Sequence, residues 1–304
     1  MQAIQSALFH QLDFFDSQDT VNAVAPHFRI ERKTIQTEGA LVMKTDPLAD
    51  LERLANLKEK IRNAHIEYMI AISVRKVAYS KIIQESESTS NEIITELALR
   101  NAQYELMETL NSEDFERHKA MFQAHNHNWA VRELTALRNC FAGALFVDLD
   151  NLIKGLSSIV NKQCAEANIG IEPVKHKQAG RAITNNVRLG AAIWAAGNNF
   201  RHFENWPGTP DVQPERTAIG SINILRDLLD FECFNWNVCG EVLALIAKGR
   251  SVEQLFEDFQ QIGRDLCDVP LQTLDKHTER LLIQVKSEGL VNEEHQKMLA
   301  ANSI

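Results

Sequence analysis

The 304-residue chain has few of the residues that punctuate a fold, only 13 glycines and 7 prolines. Turn signals this sparse disfavour many short strands and favour long uninterrupted elements. Aromatic residues make up 7% of the chain and β-branched runs are few, so helix is the expected element. The five cysteines, Cys140, Cys164, Cys233, Cys239 and Cys267, are widely spaced and form no Cys-x-x-Cys pair. That pattern argues against a zinc ribbon or a redox dithiol and reads as reduced, buried thiols. Bases are outnumbered, 32 against 41 acids, for a formal charge of −9. An acidic surface repels a phosphate backbone, so no non-specific binding of duplex DNA is expected. A local basic site for single-stranded nucleic acid stays open. Long apolar runs are also missing. The most apolar stretch, residues 140–147, is shorter than the ~20 residues of a membrane span and runs into Asp148 and Asp150. The first residues carry no targeting signal. A soluble, cytoplasmic protein without membrane contact is the expectation.

What is present is amphipathic helix after amphipathic helix. Hydrophobic residues make up 44% and charged residues 24%, enough for one large core or two modest ones. The expected fold class is an all-α multi-helix bundle, with a long helical hairpin and a small irregular or β-hairpin N-terminal piece. Three regions follow: an N-terminal segment over 1–45, a hairpin region over 46–126 and a bundle over 127–304. In the first, residues 5–15 suit a short helix, and residues 27–44 a hairpin turning at Gly39. Asp46-Pro47 starts a long helix. Apolar residues keep helical spacing from Leu48 to Ile72, and the polar run 86–90 is the expected break. Thr89 and Glu92 would then cap the return helix. Ser112 can cap a helix over 115–124. Another helix runs from Trp129 to about Ala165 with an apolar stripe including Leu134, Leu137, Leu145, Leu149 and Leu156. Ala142-Gly143-Ala144 within it would permit close helix approach. Further helices are expected over 181–205, 215–229, about 235–247, and 251–266 with a Ser251/Gln254 capping box. Pro270 would separate that last one from a final pair, 271–287 and 293–300.

One stretch, residues 191–206, carries more than packing. A small-residue helix ends in a polar and aromatic cluster: Asn198, Asn199, Arg201, His202, Glu204 and Trp206. At helical spacing Asn198, His202 and Trp206 share a face. Arg201 stands about one helical step, roughly 100°, from His202. Gly197 would let a backbone or a ligand approach closely. Imidazole beside guanidinium suits phosphate-ester chemistry, with His202 taking a proton from a ribose 2′-hydroxyl and Arg201 stabilising charge on phosphorus. Asn198, Asn199, Glu204 and Trp206 are the candidate substrate contacts. The alternative is structural, with Arg and His complementing a helix C-terminus and the aromatics in the core. Two rivals are weaker. His125 and His127, with His118 before them, stand two apart, and no Glu or Cys completes a zinc pattern. Asp148 and Asp150 also stand two apart on a helix, on different faces, and read as solvated acids. No metal and no cofactor is expected.

The basic residue and histidine of Gly197-Asn-Asn-Phe-Arg-His-Phe-Glu-Asn-Trp206, on a helix of an all-α bundle, resemble the HEPN superfamily of ribonucleases and nucleotide-binding proteins. The resemblance covers about residues 181–266. It implies RNA or a nucleotide as partner, metal-independent RNA cleavage by paired bundles, and a role in bacterial or phage defence. In that superfamily an arginine precedes the histidine by four to six residues. Here that window holds Ala195 to Asn198 and the arginine is adjacent instead. The other function class is a non-enzymatic interaction protein, a homo-oligomer formed through its long helices.

Overall fold

The computed structural model describes residues 46–108, 129–208, 212–231 and 234–287. Over these residues the fold is an all-α multi-helix bundle. Its six α-helices, among the described residues, are α1 (Pro47–Glu108), α2 (Trp129–Ala167), α3 (Leu189–His202), α4 (Arg216–Leu229), α5 (Cys239–Ala247) and α6 (Val252–Ser287). The β structure there is one isolated bridge, Ala182 to Arg188. The short helix and hairpin expected within 1–45, and the helices expected over 115–124 and 293–300, lie outside the described residues.

Helix α1 starts where Asp46-Pro47 places it, with the Asp46 carboxylate accepting from the Leu48 N–H at 3.0 Å. Leu51, Leu54, Leu57, Ile61, Ala64, Tyr68, Ile72, Tyr79 and Ile83 are buried along one face. The expected break at 86–90 is absent, and α1 continues for 62 residues. Ser86 and Thr89 fall on the buried stripe, and Ser90 satisfies its hydroxyl on the Ser86 carbonyl at 2.8 Å. A Ser/Thr run without Gly or Pro does not force a helix to end when its hydroxyls bond one turn back. Thr89 is therefore a mid-helix residue and not a cap.

The antiparallel partner of α1 is α2. Arg75 Nε and Tyr79 Oη reach Asp148 at 2.9 and 2.5 Å, while Arg53 reaches the Glu166 carbonyl at the other end. Ala142, Leu145, Leu149, Ile153, Leu156 and Val160 bury the α2 stripe, although Leu137, expected within it, is exposed. Helix α6 lies antiparallel on α1 as well, through Tyr68 to the Phe259 carbonyl at 2.7 Å and Lys58 to Asp275 at 2.5 Å. Its start is the expected capping box, in which Ser251 and Gln254 exchange side-chain to backbone bonds. Pro270, expected to separate two helices, sits inside α6. Leu266, Cys267, Pro270 and Leu274 are all buried, so continued packing offsets the hydrogen bond that proline removes. Buried residues from α1 to α6 form one core.

Residues 181–188, expected to be helical, instead form a turn. Thr184 accepts from the Val187 N–H at 3.1 Å, and Thr-Asn-Asn supplies the side chains such turns use. Helix α3 is correspondingly shorter and nearly engulfed, with Leu189 to Ile193, Ala195 to Gly197 and Asn199 buried. Its small residues let neighbours come close. The Phe200 ring occupies the space over Gly143, where a Cβ would lie 1.9 Å from it, and Gly197 faces the Phe146 carbonyl and Asp150. The approach expected at Gly143 and Gly197 is thus made by α2 against α3.

Candidate functional site

The last turn of α3 carries the cluster, and a rotation of about 100° per residue distributes its side chains to different neighbours. Arg201 turns to α2. Its Nη1 lies 2.9 Å from Asp150 Oδ2, and its Nη2 lies 3.0 Å from Asn151 Oδ1. The Asp150 side chain is 1% exposed and also accepts from Lys154 Nζ at 2.7 Å. Asp150 is thus no solvated acid but the centre of a buried, charge-assisted network. Only Asp148, paired with Arg75, reaches the surface. The expected divergence of the two carboxylates holds, with Asp148 facing α1 and Asp150 facing α3.

Asn199 turns to the segment before α5 and is fully buried. Its amide donates to the Phe234 and Trp236 carbonyls at 3.2 and 3.1 Å, and its oxygen accepts from the Val238 N–H at 2.9 Å. All three bonds go to backbone that would otherwise be unpaired, which leaves no free edge for a ligand. Asn139 from α2 holds the same segment through the Asn237 carbonyl and the Gly240 N–H. Arg138 pairs with Glu241. Asn237 itself accepts from the Cys239 N–H at 3.0 Å. The stretch at 235–237 therefore clamps the start of α5.

Asn198 and His202 turn the third way, towards α4. Together with Asn205, Trp206, Glu215, Thr217, Ala218 and Ser221 they line a cleft of about 440 Å³. That lies in the lower part of the ~300–1,000 Å³ range of small-molecule sites. His202 is exposed at its edge. Asn198 Nδ2 donates to Ser221 Oγ at 3.0 Å, and Ser221 is buried. Trp206 is 6% exposed and contributes as a wall more than as a free ring. The expected face of Asn198, His202 and Trp206 is assembled here. Arg201 and Asn199 do not border the cleft, and Glu204 is exposed and outside its lining. The guanidinium proposed as partner to the imidazole therefore faces another helix. Among the described residues no Arg or Lys lines the cleft, and Glu215 adds a carboxylate.

Sequence reasoning missed Thr217, Ser221 and Glu215, which reach the cleft only because α4 folds back on α3. It also missed Lys154, whose i, i+4 relation to Asp150 was a usable signal. His176 is a further omission. Burial pushes its imidazole down, Asp150 raises it, and Lys177 and Lys154 lower it further. The Lys177 ammonium lies 3.1 Å from the centre of the Trp194 ring. Among the described residues no three His, Cys, Asp or Glu side chains gather as metal ligands, and His118, His125 and His127 lie outside them. Cys164, Cys239 and Cys267 are free and buried, and Cys140 is half-buried. Among those residues no helix is long and apolar enough to cross a membrane. No protein-family model, no curated protein and no solved structure matches the chain.

Proposed function

We propose that the protein engages RNA or a nucleotide in the cleft between α3 and α4, as an HEPN-like protein would, through the ribose and base more than the phosphate. The observation that carries this reading is the convergence of His202, Asn198, Asn205, Thr217 and Ser221 on one cleft, with no cation among the described lining residues. Amides offer paired donors and acceptors to a base edge, and hydroxyls and imidazole suit a ribose. Arg201, held by Asp150, is a positioning residue that fixes the turn bearing His202. Cleavage would have His202 accept the 2′-hydroxyl proton as that oxygen attacks phosphorus, forming a 2′,3′-cyclic phosphate while the 5′-oxygen leaves as a hydroxyl with a proton from water. It would also need a cation at the phosphorus, and the described lining residues supply none. Binding is therefore the primary activity of this reading.

The test is calorimetric titration of the four ribonucleosides and their 5′-monophosphates, with EDTA present. Saturable binding is expected, similar for nucleoside and monophosphate and weakly dependent on salt. His202→Ala and Asn198→Ala should each weaken it about tenfold, the loss of one polar contact to the ligand. Absence of binding, or full affinity in His202→Ala, overturns the reading. Cleavage of short RNAs that is lost in His202→Ala, with the unfolding midpoint kept, would restore His202 as a catalytic base. A second reading, a non-enzymatic interaction protein with a structural cluster, is favoured by Asn199 and Arg201, whose bonds lie inside the fold. Failure of the titration selects it.

A further inference from the structure

Helix α1 has two apolar faces, and among the described residues the fold packs against one. Ile66, Ile70, Val74 and Val77 are 56%, 55%, 74% and 81% exposed. At about 100° per residue they fall within a sector of about 80°, opposite the buried Ile61, Tyr68, Ile72 and Tyr79. Single exposed aliphatics are ordinary, but four in one continuous stripe mark a contact surface. Being β-branched, they are also poor choices for a solvated helix interior.

The stripe is complementary to itself in reverse. Laid antiparallel on a second copy about Ile72, Ile70 meets Val74 and Ile66 meets Val77. Beyond them Asn63 meets Lys81, and at the ends Lys60 meets Glu85 on the same flank. All four pairs share one centre to within half a residue, and each occurs twice across the two-fold axis. All eight residues are exposed. Apolar centre with opposite charges at the flanks is the pattern that sets orientation in paired helices.

We infer that α1 forms an antiparallel homodimer seam centred on Ile72, over about 26 residues and about 39 Å. The seam uses no residue of the α3–α4 cleft, so it stands or falls separately from the ligand reading. Sedimentation of the full chain over roughly 1 to 100 µM, the range of a modest interface, should show a shift from the 34.4 kDa monomer to twice that mass. Ile70→Glu/Val74→Glu should weaken association more than a hundredfold and keep the helical circular dichroism, both positions being exposed. Lys60→Glu alone and Glu85→Lys alone should each weaken it about tenfold, by placing like charges at both ends of the seam. The double exchange Lys60→Glu/Glu85→Lys should restore it, which a parallel pairing would not do. A wild-type chain that stays monomeric overturns the inference. So does a dimer indifferent to the Ile70→Glu/Val74→Glu change, or a double exchange no better than either single one.

Discussion

On the inner sides of α3, Asn199 and Arg201 hold the backbone before α5 and the buried carboxylate of Asp150, whereas on the side facing α4, Asn198 and His202 border an open cleft. The four residues lie within five positions of one another and have different tasks. A helix surrounded on three sides sends each successive side chain into a different environment, and that environment decides what a polar group does. Where the neighbour is buried backbone, an amide is a clamp. Where it is a cleft wall, the same amide is available to a ligand.

That division is open to direct attack. Asn199→Ala strips partners from two carbonyls and an N–H in a buried site, and unpaired groups of this kind cost about 1–3 kcal/mol each. A loss of about 4 kcal/mol in urea unfolding is expected, and a near-neutral result would remove Asn199 from the clamp. Arg201→Ala leaves Asp150 with Lys154 alone. It should cost about 3 kcal/mol, the low end for a broken buried pair, and Arg201→Lys should recover only part of that.

A smaller effect concerns pH. Burial holds the His176 imidazole below its ordinary value, so between the folded value and about 6.5 the unfolded chain binds more protons. Stability from this residue is full above about 6.5 and falls as the pH drops towards the folded value. In denaturation measured at several pH values, His176→Gln should make the decline below neutrality shallower; an unchanged slope would place His176 in contact with water. The smallest expected effect on stability is that of His202→Ala. It should leave the unfolding midpoint unchanged, because the side chain is exposed and holds no part of the core; a marked drop would move His202 from the cleft to the scaffold.

Much of the fold was legible along the chain. Asp46-Pro47, the Ser251/Gln254 box and the bounds of α2 and α4 follow from local chemistry that acts within one helical turn. Three local signals failed, two of them because tertiary packing outweighed them. The 86–90 run and Pro270 stay helical since their neighbours continue a buried stripe, whereas residues 181–188 turn through a competing local bond, the Val187 N–H donating to the Thr184 hydroxyl. The site was half legible. The shared face of Asn198 and His202 could be read from spacing alone, but the α4 wall of the cleft could not.

The sequence by itself determined that the chain is helical, where most helices start, and that residues 198–206 carry a mixed polar and aromatic cluster. These are properties of side-chain period and capping, set by residues three or four apart. Only the tertiary structure decided that Arg201 belongs to Asp150 and His202 to the cleft. The two are adjacent in sequence, and no local rule states which helix will stand opposite each of them. That depends on contacts more than fifty residues apart for Arg201 and on the return of α4 for His202.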